Sequence, residues 1–210
     1  MHKLYCLFNK LRCMLIKCKY GPIINFHNLI ARRIHIHNCG INNRIWIENN
    51  CEITNCRFLT LGNNNTITIE SGTRMNGVTF WVEDDNNQIH IGKQCSFESG
   101  TELAVCEGTN ITIGDDCMFS NNISVRTTDS HSILDSSGKR INPASDIRIG
   151  DHVWVGYHAL ILKGGIIDDN SIIASQAVVS SSSPHSANCI MAGIPATITK
   201  RNITWCRKRI

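Results

Sequence analysis

Pairs of isoleucines with one residue between them recur at a fixed spacing along this chain. The first four pairs each begin 22 residues after the one before: Ile45 and Ile47, Ile67 and Ile69, Ile89 and Ile91, Ile111 and Ile113. A fifth pair, Ile147 and Ile149, follows after 36 residues. A repeat of this length is typical of solenoids, whose units bury an apolar face only by stacking on their neighbours.

The positions between the pairs repeat as well. Four residues after each second isoleucine the chain carries a small residue: Cys51, Thr73, Cys95, Cys117 and Val153. Six residues after it the chain is apolar: Ile53, Met75, Phe97, Phe119 and Val155. Twelve residues after it a further apolar column is expected: Leu59, Trp81, Leu103, Val125 and Ile161. This spacing fits neither a helix nor an isolated strand, and it predicts a parallel β-helix with polar turns at its corners.

From Ile149 onwards the repeat unit shortens to six residues. The apolar member of each unit is Ile149, Val155, Ile161, Ile167, Ile173 or Val179, and the small member is Val153, Ala159, Gly165, Ser171 or Ala177. Over about residues 40–200 the chain therefore resembles the hexapeptide-repeat acyltransferases. The resemblance implies an all-β, left-handed parallel β-helix in residues 25–199, with an extended catalytic loop at 126–146. Residues 1–24 are expected to form a basic amphipathic helix and residues 200–210 a basic tail.

Charge and cysteine usage narrow the function classes. The net charge is only +4 and no basic run is interleaved with aromatic residues outside the termini, so a nucleic-acid partner is not expected. The eleven cysteines are an odd number, and none is part of a CxxC motif. We therefore expect reduced thiols that act as small apolar core residues, no metal site and a cytoplasmic location.

The first residues follow a helical apolar spacing, at Leu4, Leu7, Phe8, Leu11 and Leu15, with basic residues on the other faces. Lys10 and Arg12 interrupt the apolar run that a secretory signal needs, and no run of 18 apolar residues predicts a membrane span. Two interpretations are open. The helix either packs on the first coil and covers its edge, or it attaches at the interface of an anionic membrane as a peripheral contact.

The candidate chemistry lies where the repeat is interrupted, between Val125 and Ile147. Taken alone, His131 in this loop is a solvated residue more often than a catalytic one. However, the segment from Thr128 to Ile133 matches the loop that carries the catalytic histidine in the acyltransferase family, and residues 149–156 match the coil that follows it. The order of this histidine and Trp154 resembles the polysialic acid and capsular polysaccharide O-acetyltransferases of that family.

The resemblance implies that His131 is the general base that takes the proton of a sugar hydroxyl as the hydroxyl attacks acetyl-CoA. Asp129 or Asp135 could hold the other ring nitrogen, and the sequence does not decide between them. The backbone N–H of Gly156 is the family-based candidate for stabilising the oxyanion. Trp154 is expected either to line the acceptor cleft or to be an interface residue.

The cofactor contacts come only from the family. The resemblance places pantetheine near Gly156, Tyr157 and Ser175 and near Ser180 and Ser181, where the family commonly has Thr-Lys. It places the CoA phosphates near Lys200 and Arg201. It also implies a homotrimer with active sites between subunits.

Three function classes stay open. The favoured function is O-acetylation of a surface polysaccharide with acetyl-CoA as donor. The second is acetyl transfer to a small acceptor such as a nucleotide-linked amino sugar, serine or an antibiotic. The third is a metal enzyme of the γ-carbonic anhydrase type, for which His131, His152 and His158 would be the candidate ligands.

Overall fold

The computed structural model describes residues 2–20, 23–26 and 28–209, with side chains described from residue 8 onwards except residue 17. In these described residues one helix, α1 (His2–Tyr20), precedes 23 strands. The strands are β1 (Ile24–Phe26), β2 (Ile30–Arg32), β3 (His35–Asn38), β4 (Arg44–Ile47), β5 (Glu52–Thr54), β6 (Arg57–Thr60), β7 (Thr66–Ile69), β8 (Arg74–Asn76), β9 (Thr79–Val82), β10 (Gln88–Ile91), β11 (Ser96–Phe97), β12 (Glu102–Val105), β13 (Asn110–Ile113), β14 (Met118–Phe119), β15 (Ser124–Arg126), β16 (Ile147–Ile149), β17 (Trp154–Val155), β18 (Leu160–Leu162), β19 (Ile166–Ile167), β20 (Ile172–Ile173), β21 (Val178–Val179), β22 (Cys189–Ala192) and β23 (Thr197–Arg201).

The strands form the three faces of a prism. From β1 to β21 every third strand pairs in parallel, and β22 and β23 extend the second sheet; the first sheet is β1-β4-β7-β10-β13-β16-β19, the second is β2-β5-β8-β11-β14-β17-β20-β22-β23 and the third is β3-β6-β9-β12-β15-β18-β21. Among the strands of the described residues, only β23 runs antiparallel to its neighbour, β22. This is the predicted parallel β-helix, in which each coil contributes one strand to each face.

The core is a set of inward columns along the prism axis. Ile45, Ile67, Ile89, Ile111 and Ile147 stack in register in the first sheet and are at most 1% exposed. The predicted six-residue column is buried as well: Ile149, Val155, Ile161, Ile167, Ile173 and Val179. Each buried aliphatic side chain of this size contributes roughly 1.5–3 kcal/mol, so the stacked columns account for most of the stabilisation of the coils.

The column predicted through Leu59 and Trp81 is wrong by one residue. Phe58 and Phe80 point inward and stack with ring centroids 4.6 Å apart, while Trp81 is 37% exposed on the outer face. Phe80 is the residue in register with Leu103. The reason is that the corner between the second and third sheets is one residue shorter in the coils of β5–β6 and β8–β9 than in the coil of β11–β12.

The small-residue column is confirmed. Cys51, Cys95 and Cys117 are at most 1% exposed, and each thiol donates to a carbonyl of the next coil, at 3.2 Å, 3.1 Å and 3.1 Å respectively. Thr73 occupies the same column and its hydroxyl donates to Gly92 O at 2.9 Å. Burial raises the pKa of the Cys51 thiol, which keeps it protonated and able to donate.

The helix α1 packs on the first coil. Asn9 accepts a hydrogen bond from Ala31 N at 3.1 Å and donates to Leu29 O at 2.8 Å, and Cys13, Ile16 and Tyr20 pack against the core. The packing side is not the predicted apolar stripe, because Phe8, Leu11 and Leu15 are about half exposed. The side chains of Leu4 and Leu7 lie outside the described residues. In the described part of the chain no helix has the length and apolarity that crossing a membrane requires.

Candidate active site

The His131 loop leaves the prism at the corner between the third and first sheets. It starts after β15 and returns at β16, so it interrupts the repeat between two coils that still pair with each other. Thr127 anchors its first residues, because its N–H donates to Ala104 O at 3.1 Å and its buried hydroxyl bonds to Thr109 Oγ1 at 2.6 Å. Ser145 N donates back to Thr127 O at 2.9 Å and closes the base of the loop.

The outer part of the loop is a short hairpin. Ile141 N donates to Ile133 O at 2.9 Å, and Leu134 forms an antiparallel bridge with Arg140. The Asp135 carboxylate closes the turn by accepting hydrogen bonds from the Ser137 hydroxyl and from two backbone N–H groups, which hold its pKa below the usual range. The turn chemistry gives this loop a defined shape instead of an open coil.

Asn142 connects the backbone of His131 and Ile133 with the side chain of Asp129. Its Nδ2 donates to His131 O at 2.9 Å and to Asp129 Oδ2 at 2.8 Å, while its Oδ1 accepts from Ile133 N at 2.7 Å. The residue is only 8% exposed. A buried amide with three satisfied partners is costly to displace, so Asn142 holds His131 in place.

Two ion pairs tie this loop to the coils. Arg140 binds Glu107 through both carboxylate oxygens, at 2.7 Å and 2.8 Å, and lowers the pKa of Glu107 to about 2. Lys163, from the next coil, binds Asp129 and donates to Asn142 O at 3.1 Å; the hydrogen bond from Lys163 lowers the pKa of Asp129. A guanidinium group that binds a carboxylate through two hydrogen bonds stabilises the loop and also fixes its orientation on the coil.

The imidazole of His131 is exposed, and within the described residues its ring has no hydrogen-bond partner. The two carboxylates considered for orienting it are otherwise engaged: Asp129 with Lys163 and Asn142, and Asp135 with its own turn. The ring is therefore presented to solvent at the end of a braced segment, where an incoming hydroxyl could reach it.

A cleft of about 250 Å³ opens beside the loop on the outer face of the third sheet. Its lining includes Trp81, Ala104, Arg126, Thr128 and Ser130. Arg126 is held by Glu102 at 2.6 Å, and the indole N–H of Trp81 donates to Glu83 at 3.1 Å. The repeat pattern does not predict this cleft, because it places Trp81 in the core column. The apolar residues Phe58 and Phe80, each one position before the predicted column, are the feature of the sequence that could have placed Trp81 on the outer face.

Trp154 lies on a different side of the chain, on the outer face of the second sheet, where it is 38% exposed. The C-terminal residues pack beside it: the Trp205 ring is 6.1 Å from the Trp154 ring and stacks on His152 at 4.1 Å. His152 bonds to Asp116 at 2.7 Å, and Trp205 Nε1 donates to His152 O at 2.7 Å. Within one chain, therefore, His131 and Trp154 do not share a site.

The other histidines considered as metal ligands are also apart from His131. His152 lies at the corner between the first and second sheets, and His158 lies at the corner between the second and third, where it bonds to Asn122 at 3.3 Å. His131 is at the remaining corner. Across the described residues no cluster of three His, Cys, Asp or Glu side chains could hold a metal ion.

The predicted cofactor residues are spread over three places. Tyr157 and Ser175 are exposed neighbours at the corner between the second and third sheets, where Gln176 N donates to Tyr157 O at 2.8 Å. Ser180 and Ser181 follow β21, at the corner that also carries the His131 loop. Lys200 and Arg201 are in β23, in register with the start of β22. One chain alone does not bring these groups together.

Gly156 is closely packed, and its N–H is already used. The N–H donates to Ile173 O at 2.8 Å, and a Cβ at this position would lie 2.7 Å from Ser175 N. The glycine is therefore required by the close approach of two coils. In this conformation it cannot also donate to an oxyanion.

Comparison with known proteins gives two solved structures that match most of the chain. A crystallographically analysed polysialic acid O-acetyltransferase has a TM-score of 0.74 at 30% identity, covering 89% of this chain and 92% of that one. A polySia specific acetyltransferase has a TM-score of 0.81 at 31% identity, covering 89% and 85%. The likeness confirms the left-handed β-helix that the resemblance to the hexapeptide-repeat acyltransferases implied.

Among curated proteins, the polysialic acid O-acetyltransferase of Escherichia coli O1:K1 is 41% identical over 86 residues, which are 40% of this chain. The polysialic acid O-acetyltransferase of Neisseria meningitidis is 37% identical over 85 residues. These matches span only 27% and 39% of the two relatives' own lengths. No family model matches the chain.

Proposed function

The chain belongs to the polysialic acid O-acetyltransferase family of hexapeptide-repeat, left-handed β-helix proteins, and we propose that it transfers an acetyl group from acetyl-CoA to a hydroxyl of a surface polysaccharide. The observation that carries this proposal is the exposed His131 imidazole on a loop braced by Asn142 and two ion pairs. A scaffold that fixes one titratable ring beside an open cleft suits general base catalysis.

In the proposed reaction the neutral imidazole of His131 takes the proton of the acceptor hydroxyl. The hydroxyl oxygen forms a bond to the thioester carbonyl carbon and gives a tetrahedral oxyanion. This intermediate then breaks its carbon–sulfur bond, and the imidazolium returns the proton to the sulfur of CoA. The products are an acetyl ester and a free thiol, with no covalent acyl-enzyme. The donor that stabilises the oxyanion is a group other than the Gly156 N–H, because that N–H is bonded to Ile173 O.

We further propose that the site forms between subunits of a homotrimer. Since His131 and Trp154 lie on different sides of one chain, a neighbouring copy has to supply the second half of the site. The loop carries three large apolar side chains that are more than half exposed, Ile133, Leu134 and Ile141, and these suit burial against another subunit. Tyr157, Ser175, Ser180, Ser181, Lys200 and Arg201 of adjacent coils would then hold CoA. Trp154 would line the acceptor cleft and affect the acceptor KM more than kcat.

The shared site has a direct test. Chains carrying His131→Ala and chains carrying Trp154→Ala would be coexpressed, and their activity at an acceptor concentration well below the wild-type KM would be compared with that of each variant alone. In randomly assembled trimers with sites between subunits, about a quarter of all sites regain both wild-type residues. Activity that stays at the level of the separate variants, or a fully active monomer, would contradict the shared site.

We place the reaction in the cytoplasm, where acetyl-CoA is available and the buried thiols of the core column stay reduced. The test of the function is incubation of the purified protein with acetyl-CoA and a panel of acidic polysaccharides, neutral polysaccharides and small amino sugars. Release of the CoA thiol together with an ester on a polysaccharide is the expected result. Turnover only with a small acceptor would replace the polysaccharide assignment, and no turnover with any acceptor would reject the proposal.

A further inference from the structure

One side of α1 leaves large apolar side chains uncovered. Phe8, Leu11, Met14 and Leu15 are 53%, 48%, 56% and 58% exposed, while the opposite side of the helix packs on the first coil. Four such residues on successive turns make a continuous apolar strip at the end of the prism. A soluble surface seldom exposes such a strip unless another surface covers it.

The same end of the molecule is strongly basic. The helix contains five Lys or Arg residues and no Asp or Glu. Beside it, a cavity of about 560 Å³ is lined by Arg12, Arg32, Arg33, Thr54 and Asn55. None of the ion pairs in the described part of the chain involves Arg12 or Arg33. Clustered guanidinium groups repel one another and attract anions, and their planar donors match phosphate oxygens.

We propose that this end of the β-helix binds the surface of a membrane rich in anionic phospholipid. The strip of Phe8, Leu11, Met14 and Leu15 enters the headgroup region, and the cavity of Arg12, Arg32 and Arg33 takes a lipid phosphate. An apolar helix face flanked by basic residues is the pattern of an interfacial helix. A second copy of the chain fits poorly, because a self-complementary contact here would bring the same cations against each other.

Membrane contact at this end of the prism would set the height of the His131 loop above the bilayer. Since α1 packs on the first coil and the His131 loop follows the fifth, four coil spacings separate them. At about 4.8 Å per coil the loop stands roughly 20 Å above the first coil, and the thickness of α1 adds about 10 Å to its height above the bound surface. The site would then face a polysaccharide chain close to the membrane.

The test uses the full chain in flotation with vesicles of phosphatidylcholine alone or of phosphatidylcholine with phosphatidylglycerol. The wild type should float only with the anionic vesicles and should be released by salt. The pair Leu11→Asp and Leu15→Asp should weaken binding by at least about tenfold. The pair Arg12→Gln and Arg33→Gln should weaken it by about fivefold per cation removed.

Matched controls are Ile41→Asp, at an exposed apolar residue of the coils, and Arg57→Gln, at an exposed outward strand position; both should bind as the wild type does. Circular dichroism would check that every variant is folded. Failure of the wild type to float with anionic vesicles would overturn the proposal. So would flotation that the aspartate pair leaves unchanged, or binding of a soluble acidic polysaccharide in the Arg cavity that displaces the vesicles. Acetyl transfer to a soluble acceptor should be equal in all variants, which separates this proposal from the enzymatic one.

Discussion

The coils and the His131 loop satisfy their polar groups in different ways. In the coils the same contact is repeated from one turn to the next: Asn43, Asn65 and Asn87 each accept a hydrogen bond at Oδ1 from the backbone N–H of the residue 22 positions later. In the loop the contacts occur once, as between Arg140 and Glu107 or between Asn142 and His131. Repetition gives a rigid stack that tolerates substitution at one level, whereas the loop depends on individual residues. The difference places the chemistry in the part of the molecule whose contacts are not repeated.

Apart from the removal of His131 itself, the largest effect in this comparison is expected at Asn142. Replacing it by Ala removes the bonds to Asp129, His131 and Ile133 at once and lets the imidazole move from its position. We expect kcat to fall by about 10- to 100-fold, because a displacement of about 1 Å is enough for such a loss. Steady-state acetyl transfer with saturating acetyl-CoA measures it. Asn121→Ala, at a corner of the repeat, is the control and should keep the wild-type kcat; equal activity of both variants would show that the brace has no catalytic role.

The Glu107–Arg140 ion pair should make the stability of the His131 loop depend on pH. The folded-state pKa of Glu107 is about 2, below its ordinary 4.5, so the stabilisation is present above about pH 4.5 and is lost as the pH falls towards 2. After allowance for solvent screening, we expect the ion pair to stabilise the folded loop by about 1 kcal/mol. The protection factors of the Ile133 and Ile141 amides, which are corrected for the intrinsic pH dependence of hydrogen exchange, should therefore fall on acidification. In Glu107→Gln these protection factors should already be lower at neutral pH and should respond less to acid; an unchanged pH profile in that variant would contradict the assignment.

A smaller effect is expected in the coils. Cys95→Ala removes one buried thiol from a column that continues above and below it, and should lower the free energy of unfolding by about 1 kcal/mol. Denaturant unfolding measures the loss, with Cys39→Ala at an exposed position as the control. Thiol reagents should label Cys39 and Cys206 quickly and Cys51, Cys95 and Cys117 slowly. Rapid labelling of the three core thiols in the native protein would show that the column is not buried.

The difference between repeated and unrepeated contacts also explains which parts of the structure the sequence predicts. The coils are predictable because a stacked position has the same environment in every turn, and the error at Trp81 arises where a corner changes length without changing the 22-residue period. The loop braces are not predictable from spacing, since Glu107 and Arg140 are 33 residues apart in a segment without a period. The packing of Trp205 on His152, 53 residues away, cannot be predicted from the sequence pattern either, because Trp205 lies outside the repeats. The role of His131 came from a family motif and stays a prediction.

The most direct test of the central claim is the turnover of His131→Ala with acetyl-CoA and the best acceptor from the panel. If the imidazole is the general base, kcat should fall by roughly 10²- to 10⁴-fold while CoA binding is unchanged. His90→Ala, on the outer face of a coil, is the matched control and should keep wild-type activity. The wild-type rate should fall on acidification, because protonation removes the lone pair that accepts the hydroxyl proton. Full turnover by His131→Ala with an unaltered pH profile would contradict the account.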